Sequence, residues 1–318
     1  MSKIAVILLG MGGPDSLKAV EPFLFNLFSD PDIFKIPFGQ KYFAKIISKL
    51  RTPKVIEQYK KIGEKSPQNY YTEQQRELLE KSLRTVADNV DVLVAMRYWH
   101  PLIEETANKI KSKNYDKVIL LPLYPHFSSV TTGSSFNEWW RHCEKGTREF
   151  ISINNFYNHP LYIAALNERI DEAIRESFSR NGKKVELLFS AHSVPQSFID
   201  NGDPYQSQIL ETINLLMSKR EEKYHVSYQS KVGPVKWLEP STKDKITELG
   251  QAGVSNLLVV PISFVSDHIE TLYELGVEYK HLATEVGISD YVVMQGLNDS
   301  PAFITLLHEL VMQEIKNG

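Results

Sequence analysis

The sequence predicts an α/β protein with two similar domains, each built on a four-stranded parallel sheet flanked by helices. Eight short runs rich in Val, Ile and Leu alternate with longer polar segments of helical periodicity. The runs are continuously apolar, which is typical of strands that helices cover on both faces. Strands that alternate with helices indicate βαβ units, and therefore open parallel sheets.

The first run, Ile4 to Leu9, is brief and has no clear cleavage site after it, so we predict a buried strand rather than a signal peptide. The third and seventh runs each reach a proline, Pro122 and Pro261, just before a polar turn. The predicted strands are residues 3–9, 90–96, 117–123, 150–154, 184–189, 225–229, 257–262 and 291–294. The predicted helices include residues 101–112, 161–179, 206–219, 242–251 and 301–316.

The two halves of the chain repeat the same order of elements, which indicates two similar domains that arose by duplication. We expect one domain over residues 1–158 and the other over residues 159–318. The last helix packs either on its own domain or back on the first.

The composition limits the classes of function. The 318 residues carry a net charge of −3 without a massed basic run, so we expect no nucleic-acid partner. Cys143 is the single cysteine, which excludes an internal disulfide and a Cys-rich zinc or iron–sulfur site. No run of about 18 apolar residues is present, and we expect a cytoplasmic protein. The sequence does not specify an oligomeric state.

Residues 23–50 form one unusual insertion, which is long for a crossover and dense in aromatic side chains. One interpretation places these side chains in the core of the first domain. The other is an apolar lip over a ligand site, or a face that rests peripherally on a membrane.

Ligands of open parallel α/β sheets bind beyond the carboxyl ends of the strands. In the first half this rule selects residues 10–14, 97–100 and 124–128; in the second it selects 190–195, 229–234 and 263–270. A histidine and an acidic cluster that are remote in sequence should therefore meet at one edge of the second sheet. If the two sheets face each other, both edges line one cleft.

His192 ends a predicted strand, and an imidazole can accept a proton near neutral pH or bind a divalent metal. Asp267, Glu270 and Glu274 are spaced i, i+3 and i+7, which places them on one face of a helix. They are either a row of carboxylates at the site, with His268 beside them, or a capping box formed by Asp267 and Glu270. Histidine with carboxylate suits ferrous iron or zinc.

Gly10, Gly12 and Gly13 begin like a dinucleotide-binding loop, but Asp15 stands where the third glycine belongs. This departure disfavours an oxidoreductase. We interpret the glycines as a tight turn where the backbone closely approaches a ligand or another strand. The sequence also lacks a Walker loop, an HExxH helix and a Gly-x-Ser-x-Gly elbow.

Seven of these segments, in one order from about residue 3 to about residue 310, resemble the ferrochelatase family. They are LGMGGPD (9–15), RTP (51–53), RYWHP (97–101), YPHFSSVTTGSS (124–135), FSAHSVP (189–195), QSKVGPVKWL (229–238) and SDHIETLYE (266–274). The resemblance implies two Rossmann-like, chelatase-like domains with a porphyrin cleft. It also implies a lyase of haem biosynthesis that inserts Fe²⁺ into protoporphyrin IX, releasing two protons to give protohaem.

The resemblance further implies that His192 and Glu270 are the central pair, both catalytic and in contact with the metal. Asp267, His268 and Glu274 would lie on the proton or metal path beside them. The implied porphyrin-binding residues are Met11, Arg51, Tyr59, Ser66, Tyr124 and Trp237. Among these, Arg51 and Ser66 would hold the propionates.

The sequence departs from the family pattern at His126, where Gln is frequent, and at Gly10, where Asn is frequent. We interpret His126 as a replacement hydrogen-bond former rather than as an extra ligand. Porphyrin and ferrous iron are the expected partners, iron being a substrate; no permanently bound cofactor and no iron–sulfur cluster are expected. The alternatives are a coproporphyrin III ferrochelatase, a cobalt chelatase acting on a corrin precursor, and a tetrapyrrole-binding protein without catalysis.

Overall fold

A computed structural model describes residues 3–34, 36, 38–144, 146, 148–231, 233 and 235–316. The chain divides into two compact units. The first unit contains residues 1–155 together with 298–318, and the second contains residues 156–297.

The first unit is built on a four-stranded parallel sheet with the strand order β2-β1-β3-β4. Its strands are β1 (Ile4–Gly10), β2 (Val90–Met96), β3 (Lys117–Pro122) and β4 (Glu149–Ser152). Before the second unit begins, its helices are a 3-10 helix (Leu17–Ala19), α1 (Val20–Phe28), α2 (Gln40–Lys60), α3 (Gln68–Leu83), α4 (Ile103–Lys111), a first π-helix (Ser129–Gly133) and α5 (Ser134–His142).

The second unit repeats this arrangement with the strand order β6-β5-β7-β8, again entirely parallel. Its strands are β5 (Glu186–His192), β6 (Tyr224–Gln229), β7 (Asn256–Pro261) and β8 (Asp290–Val293). Its helices are α6 (Pro160–Asn181), α7 (Gln196–Asp200), α8 (Tyr205–Met217), α9 (Thr242–Gln251), a second π-helix (Glu270–Glu278) and α10 (Tyr279–Glu285). The predicted fold class is confirmed, and each of the eight predicted strands overlaps an observed one.

The central strands of both sheets are buried, apart from the two end residues of β5, as their continuous apolarity predicts. Every residue of β1, β3 and β7 is buried. Helices cover these strands on both faces; in the first unit, for example, Trp139 of α5 joins Ile7 and Leu120 in one core cluster. Each large apolar side chain buried in this way contributes about 1.5–3 kcal/mol to folding.

The C-terminal helix α11 (Pro301–Lys316) belongs to the first unit. The hydroxyl of Ser82 on α3 hydrogen-bonds to Nδ1 of His308 at 2.9 Å. The side-chain amide of Gln75 donates to the carbonyl of Asn298 at 2.7 Å, just before the helix begins. These side-chain contacts hold α11 against α3.

The aromatic insertion divides into a buried part and an exposed part. Phe23 and Phe28 on α1 are buried, so the core interpretation holds there. On α2 the side chains of Tyr42 and Leu50 are 72% and 71% exposed. Lys35 and Pro37 lie outside the described residues. Within the described part of the chain, no helix is long and apolar enough to cross a membrane.

Candidate active site

His192 and Glu270 form a hydrogen-bonded pair at the carboxyl end of the second sheet. His192 is the last residue of β5, and its Nδ1 lies 2.8 Å from Oε2 of Glu270, the first residue of the second π-helix. The two side chains are 36% and 22% exposed, so the pair is partly open to solvent. Among the described residues, Nε2 of His192 has no hydrogen-bond partner, which leaves it available to a ligand.

The surroundings shift the pKa values of the two groups in opposite directions. Burial favours neutral His192, yet the charge of Glu270 and its hydrogen bond outweigh this and raise the pKa of His192 above its ordinary value of 6.5. Burial also opposes ionisation of Glu270, but His192 and His268 hold the pKa of that carboxyl well below its usual range. The pair is therefore suited to carry a proton on the imidazole beside a permanent carboxylate.

The predicted row of three carboxylates on an α-helix is wrong. The helix is a π-helix that begins at Glu270, and Asp267 precedes it. The capping-box interpretation is also wrong, because the carboxylate of Glu270 binds His192 and Ser230. Asp267 is buried and accepts hydrogen bonds from the Gly296 amide and from the Thr271 hydroxyl, so it secures the turn before the helix.

Glu274 lies behind Glu270, and Ser230 connects them. The hydroxyl of Ser230 is 2.5 Å from Oε2 of Glu274 and 3.3 Å from Oε2 of Glu270. Glu274 Oε1 accepts from the Ser230 amide at 3.0 Å and from the Tyr279 hydroxyl at 2.9 Å. Burial and the charge of Glu270 raise the pKa of Glu274 despite these bonds, so Glu274 can hold a proton nearer neutral pH than an ordinary carboxyl.

Ser230 has a left-handed backbone, with φ of +66°, immediately after β6. Such a conformation is uncommon for a residue other than glycine and concentrates at functional sites. Here it directs both the amide and the hydroxyl of Ser230 to Glu274.

His268 is almost completely buried beside this pair, at 2% exposure. Its Nδ1 donates to the Ser266 carbonyl at 3.1 Å, and its Nε2 lies 3.8 Å from Oε2 of Glu270. The ring of Phe264 contacts both His268 and His192. Among the residues that the structure describes, no three His, Cys, Asp or Glu side chains form a preformed metal site. The geometry thus presents a pair with a neighbouring imidazole.

In the first unit, the glycine turn after β1 lies against the segment that contains Ser66. A Cβ at Gly13 would collide with the Ser66 side chain, so the close approach is to a loop of the same unit. The Ser66 amide donates to the Pro14 carbonyl at 2.8 Å. Gly12 has φ of +75° and packs against Met96. The carbonyl of Met11 accepts from the amide of Tyr98 at 3.0 Å, which brings Met11 and Ser66 to the same edge of the sheet.

A buried ion pair supports this edge. The Arg97 guanidinium lies 2.9 Å from Asp30, and their side chains are 9% and 0% exposed. The hydroxyl of Tyr98 donates to the same carboxylate at 2.6 Å, and that of Ser134 donates at 2.5 Å. Asp30 thereby joins the end of α1, the turn after β2 and the start of α5. Sequence reasoning did not single out Asp30.

The remaining predicted residues occupy varied surroundings. The Arg51 guanidinium stacks over the ring of Phe28 at 5.7 Å and makes no salt bridge within the described part of the chain. Tyr59 is buried at the end of α2. Tyr124, after β3, is half-buried, and burial raises its pKa.

Trp237 pairs through its backbone with Pro195, near the end of β5 in the second unit. Burial lowers the pKa of His126 to about 3, so this imidazole is neutral at physiological pH.

Sequence reasoning missed three hydroxyl-bearing residues around the pair: Tyr205, Ser263 and Tyr279. Ser263 lies two residues after β7, in a segment that the strand-end rule selected without assigning this residue a role. Tyr205 and Tyr279 lie on helices, where nothing in the sequence distinguishes them from core tyrosines.

Known proteins resemble this chain over nearly its whole length. Residues 3–315 match the sequence profile of the ferrochelatase family. A ferrochelatase of Geotalea uraniireducens is 50% identical over 320 residues, covering 99% of each chain. A ferrochelatase of Aquifex aeolicus is 47% identical over 317 residues, covering 98% of this chain and 100% of its own.

Among solved structures, the chain is similar to the sirohydrochlorin chelatase SirB from Bacillus subtilis subspecies spizizenii, solved in complex with cobalt. The TM-score is 0.59 at 11% identity, covering 99% of this chain and 96% of that one. This likeness confirms the chelatase-like fold. The near-complete profile match and the relatives at about half identity together place the chain in the ferrochelatase family.

Proposed function

We propose that this protein inserts ferrous iron into a porphyrin and releases the two pyrrole N–H protons, a step of haem biosynthesis. The observation that carries the proposal is the pair of His192 and Glu270 at 2.8 Å, at the carboxyl end of a parallel sheet. Membership of the ferrochelatase family supports it. Iron enters this reaction as a substrate.

In this proposal, Nε2 of His192 accepts protons that the pyrroles release. Glu270 stabilises the imidazolium, and its low pKa keeps it ionised at rest. The Nδ1 proton of the imidazolium passes to Glu270 and on to the Ser230 oxygen, while the Ser230 hydroxyl gives its own proton to Glu274. Glu270 is then ionised again, and Glu274, whose pKa is raised, holds the proton. The path ends at Glu274, which accepts a hydrogen bond from the hydroxyl of the nearly buried residue Tyr279.

The ring must also expose its nitrogen lone pairs, which a planar porphyrin keeps in its plane. Binding energy at the propionates and ring faces can bend the ring, and interactions realised mainly in the bent form favour the transition state. Met11, Tyr124 and Trp237 are the bulky side chains that we expect to contact the ring. His192 and Glu270 would then contact the incoming iron, with His268 and Asp267 on its path.

The proposed substrate is protoporphyrin IX. Arg51 makes no salt bridge within the described residues, so its guanidinium is available to a propionate, and Ser66 offers a hydroxyl. Tyr59 lies on the same helix as Arg51. The aromatic insertion favours the less polar of the two porphyrins, since coproporphyrin III carries four carboxylates.

The test is an anaerobic assay with ferrous iron that follows the loss of free-porphyrin fluorescence, with protoporphyrin IX and coproporphyrin III in parallel. We expect rapid loss with protoporphyrin IX, and little loss when His192→Ala is used. The variant should bind porphyrin nearly as tightly as the native protein. Faster loss with coproporphyrin III would reassign the substrate, and tight binding without turnover would identify a tetrapyrrole-binding protein.

We also propose a cytoplasmic protein that touches the membrane surface through the outer face of α2. Tyr42, Ile46 and Leu50 recur every four residues and are 72%, 44% and 71% exposed. A parallel row of exposed lysines, Lys41, Lys45 and Lys49, runs beside them. An exposed apolar row with adjacent lysines is typical of helices that lie on anionic bilayers.

The test of this contact is sedimentation with vesicles of anionic and of neutral lipid. The triple change Tyr42→Ser, Ile46→Ser and Leu50→Ser should release the protein from the anionic pellet. Phe178→Ser, a 55% exposed position on α6, is the control. Phe28 is unsuitable for such a test because it is buried against Phe34. Equal recovery of native and triple-variant protein in the pellet would contradict the contact.

A further inference from the structure

The backbone amide and carbonyl of His192 lack the two hydrogen bonds that a longer β7 would provide. Pairing between β5 and β7 ends at Ser190 and Pro261. A continued β7 would offer the Ile262 carbonyl to the His192 amide and the Phe264 amide to the His192 carbonyl. Instead the chain turns after β7, and the Phe264 amide donates to the Pro261 carbonyl at 3.3 Å.

Two side-chain hydroxyls take the place of the missing strand. The His192 amide donates to Oγ of Ser263 at 2.9 Å, and the His192 carbonyl accepts from the Tyr205 hydroxyl at 3.0 Å. The two hydroxyls lie 2.6 Å apart. Both backbone groups of His192 on this side are therefore bonded to Ser263 and Tyr205, which are themselves in contact.

The direction of each hydrogen bond in this ring follows from the groups involved. A carbonyl oxygen can only accept a hydrogen bond, so the Tyr205 hydroxyl is the donor to the His192 backbone carbonyl. The Tyr205 oxygen then accepts from Ser263, whose own oxygen accepts from the His192 amide. Burial raises the pKa of Tyr205, so its hydroxyl stays protonated over the working pH range. Every donor has one acceptor, and such closed arrangements strengthen each bond.

We propose that Tyr205 and Ser263 are positioning residues of the reaction, which orient the His192 side chain towards Glu270 by holding its backbone on both sides. The expected effect on the rate rests on the proposed function, but the geometry of His192 is measurable without turnover. Phe264, which follows Ser263, contacts the His192 ring at a centroid distance of 6.0 Å. The same turn thus restrains both the backbone and the ring of His192.

The precision of this restraint matters because a displacement of about 1 Å at a reacting group can cost about 100-fold in rate. We expect Tyr205→Phe and Ser263→Ala each to lower kcat by about 10-fold to 100-fold, with little change in the KM for porphyrin. Ser263→Thr keeps the hydroxyl and should restore most of the rate. Because the hydroxyls share one ring, the double variant should lose little more than either single one.

The decisive measurement uses the protein without substrate. NMR titration of labelled histidine should show a lower His192 pKa in Tyr205→Phe, because the contact with Glu270 loosens. The His192 amide should also exchange its proton faster, although thermal unfolding stays far above the temperature of the experiment. Tyr115→Phe removes a hydroxyl bonded to Asp91 in the first unit and is the matched control, for which we expect no change at His192.

A purely structural role would lower the unfolding temperature but leave the His192 pKa, its amide exchange and kcat per folded molecule unchanged. That result in both Tyr205→Phe and Ser263→Ala would overturn the proposal. Absence of iron insertion by the native protein would instead refute the proposed function. The NMR measurements would then still decide whether the two hydroxyls position His192.

Discussion

Replacing Glu270 by Gln tests the electrostatic basis of the site most directly, because it removes one charge and nearly preserves shape. The change takes away the carboxylate that lies 2.8 Å from Nδ1 of His192. Since this charge outweighs the effect of burial on the imidazole, we expect the pKa of His192 to fall.

The magnitude follows from the geometry. Two unit charges about 4 Å apart attract by about 4 kcal/mol at an effective dielectric constant of about 20, and by about 1 kcal/mol in water. The side chains are 36% and 22% exposed, so the pair lies between these limits. Taking about 2 kcal/mol for the pair, loss of the carboxylate should weaken proton binding by the His192 imidazole about 30-fold.

The assay is an NMR titration of labelled histidine in the native protein and in Glu270→Gln, with His192→Ala to assign the signal. The control is Glu186→Gln, which removes another carboxylate of similar exposure that bonds His225 at the opposite end of β5. We expect the control to leave the His192 titration unchanged. A His192 pKa that agrees within about 0.3 unit between native protein and Glu270→Gln would refute the electrostatic reasoning.

The same change should alter stability in a defined pH window. The raised pKa of His192 contributes stability that is fully present below the ordinary value of 6.5 and is lost as the pH rises through the folded value. The lowered pKa of Glu270 contributes stability that is present above 4.5 and is lost as the pH falls through its folded value. The unfolding free energies of the native protein and of Glu270→Gln, measured in urea, should therefore differ most between pH 4.5 and pH 6.5.

Three further changes test other parts of the structure. Ser230→Ala removes the hydroxyl between Glu270 and Glu274 and should lower kcat by about 10-fold without changing the KM for porphyrin. The control Ser179→Ala, at an exposed position, should leave kcat unchanged. Equal kcat values for Ser230→Ala and the native protein would argue against the proton path. His126→Gln removes an imidazole that burial keeps neutral in the folded protein, with a pKa of about 3, but that is protonated at about pH 5 in the unfolded chain. Relative to the native protein, the variant should therefore be more stable at about pH 5 than at about pH 7.5 by about 2 kcal/mol of unfolding free energy, measured in urea. An equal effect at both pH values would contradict the burial argument. Asp30→Ala takes the nearer carboxylate from buried Arg97, which keeps Glu138 at 3.5 Å, and deprives the Tyr98 and Ser134 hydroxyls of their acceptor. It should cost about 3–5 kcal/mol of unfolding free energy; a loss below about 1 kcal/mol would show that the pair contributes little.

The strands could be predicted because their signal is local. The runs around Ile7, Leu120 and Val259 are continuously apolar, and all three residues are fully buried in the structure. Helix α9 begins and ends at the predicted residues, since Ser241 provides a capping hydroxyl for its first turn. The aromatic insertion was less predictable, because Phe23 and Tyr42 differ in burial although both are aromatic residues of one insertion.

Part of the site could also be predicted, because residues that follow parallel strands meet at one edge. This rule brought His192 and Glu270 together although they are 78 positions apart. The rule does not reach Tyr205, which begins a helix and acts on His192 through a backbone carbonyl. Nor does it reach Asp30, whose importance arises from burial beside Arg97 rather than from any pattern of neighbours.

The error over the acidic cluster has a specific physical origin in the assumed helical period. With 3.6 residues per turn, Asp267, Glu270 and Glu274 fall on one face, whereas residues five apart point about 140° away from each other. A π-helix bonds each residue to the fifth one along and so brings such residues to the same side. In the structure the Tyr279 amide donates to the Glu274 carbonyl, and the Tyr279 hydroxyl donates to the Glu274 carboxylate. The row that the structure forms is therefore Glu270, Glu274 and Tyr279, and Tyr279 belongs to it because the helix is wound more loosely than an α-helix.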